Sequence, residues 1–192
     1  MGGMISKRAE IGIGTLILFI SMILVAAIAA SVVIQTAISL QSRTLETGSR
    51  TTRSVSTGLE ALVVHGEDGR DGYLSNFSIK VKPIAGSYPM RFNDTLFEIT
   101  TTDDSVEYSY AGVGCEDLDG SGYYVDYLIT SDSYTAGYIH PGDVVMICAE
   151  APYDITADLD IDFRITPSEG IPLSVDTTVP DIVSTRRVFL YP

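Results

Sequence analysis

The sequence predicts an α+β chain in which a long hydrophobic N-terminal helix is followed by an Ig-like antiparallel β-sandwich. Three observations carry this expectation. From Ile11 to Ser42 run 32 residues without a single Asp, Glu, Lys, Arg or His. After a turn-rich break, GEDGRDG at 66–72, the hydrophobic period changes from helical to two. Turn residues then separate the later apolar stretches at the short intervals usual in sandwiches and barrels. The helix is expected to reach residue 65 and the sandwich to fill 66–192.

Charge divides the chain in the same place. Residues 1–60 carry five Lys or Arg against three Glu, a net +2, whereas residues 61–192 carry seven against 22 Asp or Glu, a net −15. A domain so acidic is a poor ligand for nucleic acid, because phosphate recognition draws its affinity from Lys and Arg. It suits a heavily solvated outer surface.

The apolar run is longer than either a signal peptide or a membrane span requires. As a helix, its 32 uncharged residues cover about 48 Å at about 1.5 Å per residue, against about 30 Å of hydrocarbon in a bilayer. A secretion signal has an apolar region of only about 7–15 residues. AIAA at 27–30 mimics a cleavage site, yet the pattern continues through Val32, Val33, Ile34, Ala37, Ile38 and Leu40, with Gln35, Ser39, Gln41 and Ser42 on the other side. That tail is amphipathic at helical spacing. TLETGSRTTRSVS at 44–56 is a polar junction, and LEALVVHG at 59–66 is read as the last apolar stretch of the helix.

Beyond the break, Phe77, Ile79 and Val81 alternate with polar residues, as do Tyr123, Val125 and Tyr127 with Tyr124, Asp126 and Leu128. In DLDIDFRIT, Leu159, Ile161, Phe163 and Ile165 point one way while Asp158, Asp160, Asp162 and Arg164 point the other. TLFEITT, SVEYSYAG, DVVMICAEA, LSVDT and RRVFLYP are further strand candidates. Seven to nine strands suffice for one sandwich core.

The basic residues Lys7 and Arg8, followed by IGIGTLILFISMILVAAIAASVVIQTA, resemble the start of archaeal flagellins, or archaellins. The resemblance extends through LQSRTLETGSRTTRSVSTGLEALVVHGEDG, KPIAGSYPM, HPGDVVMI and RITPSEGIPLSVDTTVPDIVSTRRVFLYP. It implies a leader over 1–9, cut by a preflagellin peptidase between Ala9 and Glu10, although the family usually has glycine before that bond. It implies a polymerisation helix over 10–65 that waits in the cytoplasmic membrane and is then drawn into a helical filament outside the cell. Ile11, Gly12, Gly14, Leu16, Phe19, Ile20, Leu24, Ala27 and Val32 would make the helix contacts, the small residues allowing close approach. The implied partners are further copies of the chain or other archaellins, the basal motor and the stator.

Other candidate sites lie in the acidic part. EDLDGSGYYVDY at 116–127 places Asp117, Asp119, Gly120, Ser121 and Gly122 at the first positions of an EF-hand loop, but Leu128 stands where the bidentate Glu belongs. A simpler Ca²⁺ turn using Asp117, Asp119 and Ser121, with Glu116 or Asp126, competes with an acidic hairpin turn. Asn76 in NFS and Asn93 in NDT are the two asparagines of the chain, and both are glycosylation sequons; ordinary turn or strand-edge asparagines are the alternative. Cys115 and Cys148 read as a disulfide in an exported domain, or else as two buried thiols.

No catalytic constellation is visible: His65 and His140 have no nucleophile at motif spacing, and GIGIGT lacks the Lys of a P-loop. The sequence therefore reads as a structural, non-enzymatic archaellum filament subunit. An adhesive pilus subunit and a single-pass membrane-anchored ectodomain are the alternatives.

Overall fold

The computed structural model describes residues 2–67, 72–116 and 118–191, with side chains from residue 11 onward. Two compact units make up the chain, Met1–Arg50 and Thr51–Pro192. Helix α1 runs over Gly2–Ser56. The described residues after it form twelve strands: β1 (Leu59–Glu67), β2 (Leu74–Pro83), β3 (Met90–Arg91), β4 (Thr95–Thr101), β5 (Ser105–Tyr108), β6 (Tyr110–Val113), β7 (Tyr123–Ile129), β8 (Tyr138–Ile139), β9 (Val144–Ile155), β10 (Asp160–Pro167), β11 (Leu173–Thr178) and β12 (Arg187–Tyr191).

They assemble into a six-stranded sheet, β12-β1-β2-β9-β7-β6, and a four-stranded sheet, β11-β10-β4-β5, with the small pair β3-β8 beside them. The core lies between the two large sheets. Val64, Phe77, Ile79, Val81, Val125 and Ile147 come from the first and Phe97, Ile99, Ile161, Phe163 and Ile165 from the second, all buried. The Phe163 ring meets Phe77 edge-on at 5.0 Å and stacks on Phe97 at 6.3 Å, so aromatic contacts bridge the sheets. Tyr123 is fully buried and donates its hydroxyl to the carbonyls of Phe92 and Thr95, which is why a polar aromatic is tolerated there. Burial pushes its phenol well above the ordinary tyrosine range.

The period-two reading of 159–165 is what the strand shows: Ile161, Phe163 and Ile165 are buried while Asp160 and Arg164 are exposed. Two expectations need correction. The helix does not continue to residue 65 but stops at Ser56, and 59–67 is strand β1. In LEALVVHG, Leu59, Leu62 and Val63 sit at helical spacing while Val63 and Val64 are β-branched, so local pattern alone is ambiguous. Tertiary pairing decides it, because β1 is hydrogen-bonded to β12 on one side and β2 on the other, with Val64 in the core.

The second correction concerns SVEYSYAG, which forms two strands in different sheets. β5 pairs antiparallel with β4, whereas β6, after Ser109, pairs with β7 in parallel. That parallel pair departs from the antiparallel expectation. Tyr108 and Tyr110 thus serve opposite sheets, a crossing no periodicity could reveal.

Candidate assembly surface

Among its described residues, the unit Met1–Arg50 is helical and buries no side chain from Ile11 onward. Leu16, Ile17, Leu18, Phe19 and Ile20 follow one another around more than a full turn, and all are exposed, from 49% at Ile20 to 69% at Leu18. The proposed contact residues Ile11, Leu24 and Val32 are exposed as well. Residues Ile11–Ser56 carry the membrane-length apolar segment, with mean hydropathy 2.9. A helix that is apolar all round needs to be buried all round, by lipid or by neighbours. Positions where Gly12 and Gly14 would carry a Cβ face open space within the subunit, which is where a second backbone can approach closely.

Its polar residues are arranged for the same surroundings. Thr15 donates to the Gly12 carbonyl, Ser21 to Leu18 and Thr36 to Val32, at 3.0, 2.8 and 2.8 Å. Ser42 and Thr44 do likewise, to Ser39 and Leu40. Each of these five hydroxyls is satisfied by the preceding turn and so costs no unpaired donor when water leaves. Ala9 and Glu10 belong to α1, but their side chains, and hence the expected cleavage site, lie outside the described residues.

Within the unit Thr51–Pro192, two residues just past the end of α1 bond to the segments that follow β2 and precede β11. The Thr57 carbonyl accepts the N–H of Ile171, and the Thr57 hydroxyl accepts that of Tyr88. The Gly58 carbonyl accepts the N–H of Ile84 and the hydroxyl of Ser87, while the Gly58 N–H donates back to Ser87. Arg53 lies over the Tyr88 ring at 5.2 Å. Nothing in the residue pattern singled these out, although KPIAGSYPM supplies Ile84, Ser87 and Tyr88. Their role is set by partners about 30 or more than 100 positions away.

The acidic turn is held by its own short-range bonds. The Asp119 carboxylate accepts the Ser121 N–H and hydroxyl at 3.0 and 2.6 Å and the Tyr124 hydroxyl at 3.0 Å. Those bonds, the Ser121 hydroxyl first, hold its carboxyl below the usual range. Gly120 has φ +68, and a Cβ on Gly122 would collide with the Ser109 carbonyl, so both glycines have a backbone reason to be there. Among the described residues no three His, Cys, Asp or Glu side chains converge as a metal site, and Asp117 lies outside those residues. Asp126 sits on β7, two positions along from Tyr124.

Cys115 and Cys148 are joined in a disulfide, their Cα atoms 5.7 Å apart, which fastens the segment after β6 to the central strand β9. Asn76 is half-buried in β2, opposite Glu67 of β1 and Glu150 of β9. Asn93 is exposed in the single turn Phe92–Asp94. His65 is buried under Phe189 and lies 3.4 Å from Glu67; His140 packs near Tyr138 and Asp143.

The comparisons agree with this arrangement. The family model described as archaeal-type flagellin matches residues 9–177. Flagellin B1 of Methanocaldococcus jannaschii is 31% identical over 91% of both chains. Flagellin B1 of Thermoplasma volcanium is 39% identical over 56% of this chain and 45% of its own length. Among solved structures, the crystal structure of archaeal flagellin FlaB1 from M. jannaschii superposes with a TM-score of 0.64 at 22% identity, covering 70% of this chain and 97% of that one. The archaeal flagellum of Methanospirillum hungatei superposes with a TM-score of 0.73 at 17% identity, covering 94% and 99%. A family match across nine-tenths of the length, joined to an apolar helix with no internal burial and a closed two-sheet domain, identifies the chain as a member of the archaeal-type flagellin family, a structural subunit of the archaellum filament.

Proposed function

We propose that the chain waits in the cytoplasmic membrane through α1, loses its leader between Ala9 and Glu10 to a preflagellin peptidase, and polymerises into an extracellular filament that a membrane motor turns for swimming. The observation that carries this reading is the apolar surface of α1, exposed on every side from Ile11 to Leu45. At about 25 cal/mol per Å² of apolar area, such a helix leaves lipid only when other helices cover it again. The partners that fit are further copies of the same chain or other archaellins.

The test is to shear cells, pellet the released filaments and sequence the subunit's N-terminus. Subunits beginning at Glu10 in the pellet support the whole sequence of events. A chain found only in membranes, with its leader intact, defeats it in favour of an anchored ectodomain. Swimming that persists in a strain lacking this chain and every other flagellin defeats the motility role and leaves an adhesive filament.

Two further features belong to the proposal. Sugars on Asn76 and Asn93 suit an outer domain in contact with solvent. Ca²⁺ at the turn, with oxygens from Asp117, Asp119, Ser121 and Asp126, has its own test. Unchanged melting on chelation, with no calcium found in purified filaments, removes it.

A further inference from the structure

The two sequons share a feature: the third residue of each is buried. In N-x-[ST] the third residue must carry a hydroxyl, and the acceptor tripeptide is expected on a surface loop. Here those residues are Ser78 and Thr95, and they are only 5% and 4% exposed. Thr95 donates its hydroxyl to the Arg91 carbonyl at 2.8 Å and begins β4. Ser78 lies in β2, paired with His65 of β1 and with Cys148 of β9, and Phe77 before it is fully buried in the core. The Ser78 hydroxyl is 3.5 Å from the sulfur of Cys148, which is bonded to Cys115.

We infer that sugar is added to both sequons before the sandwich closes, and that formation of the Cys115–Cys148 disulfide ends the opportunity at Asn76. The inference rests on the glycosylation reading above. In the transfer, the Asn76 amide nitrogen forms a bond to the anomeric carbon of a lipid-linked sugar phosphate. The carbon–oxygen bond to phosphate breaks, the lipid phosphate leaves, and the amide proton passes to a base. In the competing step the two thiols lose two electrons and two protons to an oxidised disulfide donor, which departs as a dithiol.

Closure is effective because of where β2 sits. It is hydrogen-bonded on both sides within the six-stranded sheet, so freeing residues 76–78 means separating β1 from β2 and β2 from β9. Central strands open only in the rarest excursions of a native domain. The bond between Cys115 and Cys148 holds the segment after β6 against β9, at the residue paired with Ser78. Ser78 is paired directly with Cys148, whereas Thr95 begins β4, which pairs with β10 and β5, so the disulfide gates one sequon and not the other.

The experiment has two arms. In the first, the full chain in detergent, folded and oxidised, is compared with the same chain reduced and unfolded. Each is incubated with an archaeal oligosaccharyltransferase and its lipid-linked oligosaccharide, and occupancy at each asparagine is read by peptide mass spectrometry. The folded chain is expected to react about a thousandfold more slowly at both sites, reflecting the population of opened molecules. Equal rates overturn the inference. No sugar on the unfolded chain sinks the glycosylation reading itself, a result distinct from equal rates.

In the second arm, Cys115→Ser is produced in the native host, with Cys148→Ser as a second variant. Occupancy at Asn76 is expected to rise severalfold while that at Asn93 stays constant. A joint rise at both asparagines reports general unfolding and overturns the disulfide's specific role, as does an Asn76 occupancy that neither substitution moves.

Discussion

The helix and the sandwich of this chain are stabilised in opposite ways. In α1, Leu16, Phe19 and Leu24 are all more than half exposed, whereas in the two-sheet domain Phe77, Phe97 and Phe163 are at most 1% exposed. The helix satisfies Thr15, Ser21 and Thr36 within its own turns and leaves its apolar area for others; the sandwich buries its apolar side chains against one another. On the proposed route, a subunit built this way keeps a finished domain while its helix exchanges lipid for neighbouring helices. Assembly and domain stability should therefore be separable by mutation.

The largest expected effect is Leu24→Asp. A carboxylate at the centre of the apolar segment costs about 2.5–3.5 kcal/mol on membrane insertion and meets no partner among neighbouring helices. Filaments should vanish from the sheared pellet while the melting of the outer domain, followed by circular dichroism, does not move. Loss of both together breaks the separation.

Phe163→Ala probes the other side. Removing a ring that packs on Phe77 and Phe97 should cost about 3–5 kcal/mol of domain stability, read by denaturant unfolding, with membrane insertion of the chain unchanged. Reduction of Cys115–Cys148 comes next. For a separation of 33 residues, loss of the cross-link should cost about 3–4 kcal/mol by the chain-entropy argument. The same reductant should leave insertion of α1 into membranes unaffected.

Asp143 gives a smaller, pH-dependent effect. Burial by itself would raise its carboxyl, but the N–H groups of His140 and Ser131, at 2.8 and 2.5 Å, hold it below the ordinary value. Its contribution is thus complete above about pH 4, where the unfolded carboxyl is ionised, and is lost as pH falls through the lower folded value. Asp143→Asn should cost about 1–3 kcal/mol at neutral pH and flatten the acid limb of the stability profile. An unchanged profile removes the assignment. Smallest is Arg187→Ala, which breaks an exposed pair with Glu67 for about 0–1 kcal/mol.

Periodicity and composition made the helix, the acidic sandwich and most strands legible, because each depends on residues close in sequence. The Ile161, Phe163 and Ile165 alternation is the clearest case. The disulfide was legible as a pairing of the two available cysteines, and its structural partner strand was not. LEALVVHG misled because a short apolar run fits helix and strand alike, and only pairing with β2 and β12 chooses. The DxDGSG stretch read as a Ca²⁺ turn or an acidic hairpin turn alike, because the residues that make Ca²⁺ loops, Asp, Ser and Gly, also make tight turns.

By itself, then, the sequence determined that one end of this protein would seek an apolar surrounding and the other water, since that follows from 32 uncharged residues beside a net −15. Tertiary structure alone decided where the helix stops, which strands share a sheet, and that Ser78 and Thr95 are buried. Those outcomes depend on hydrogen bonds and packing between segments far apart in the chain, and no local pattern encodes which distant segment will arrive.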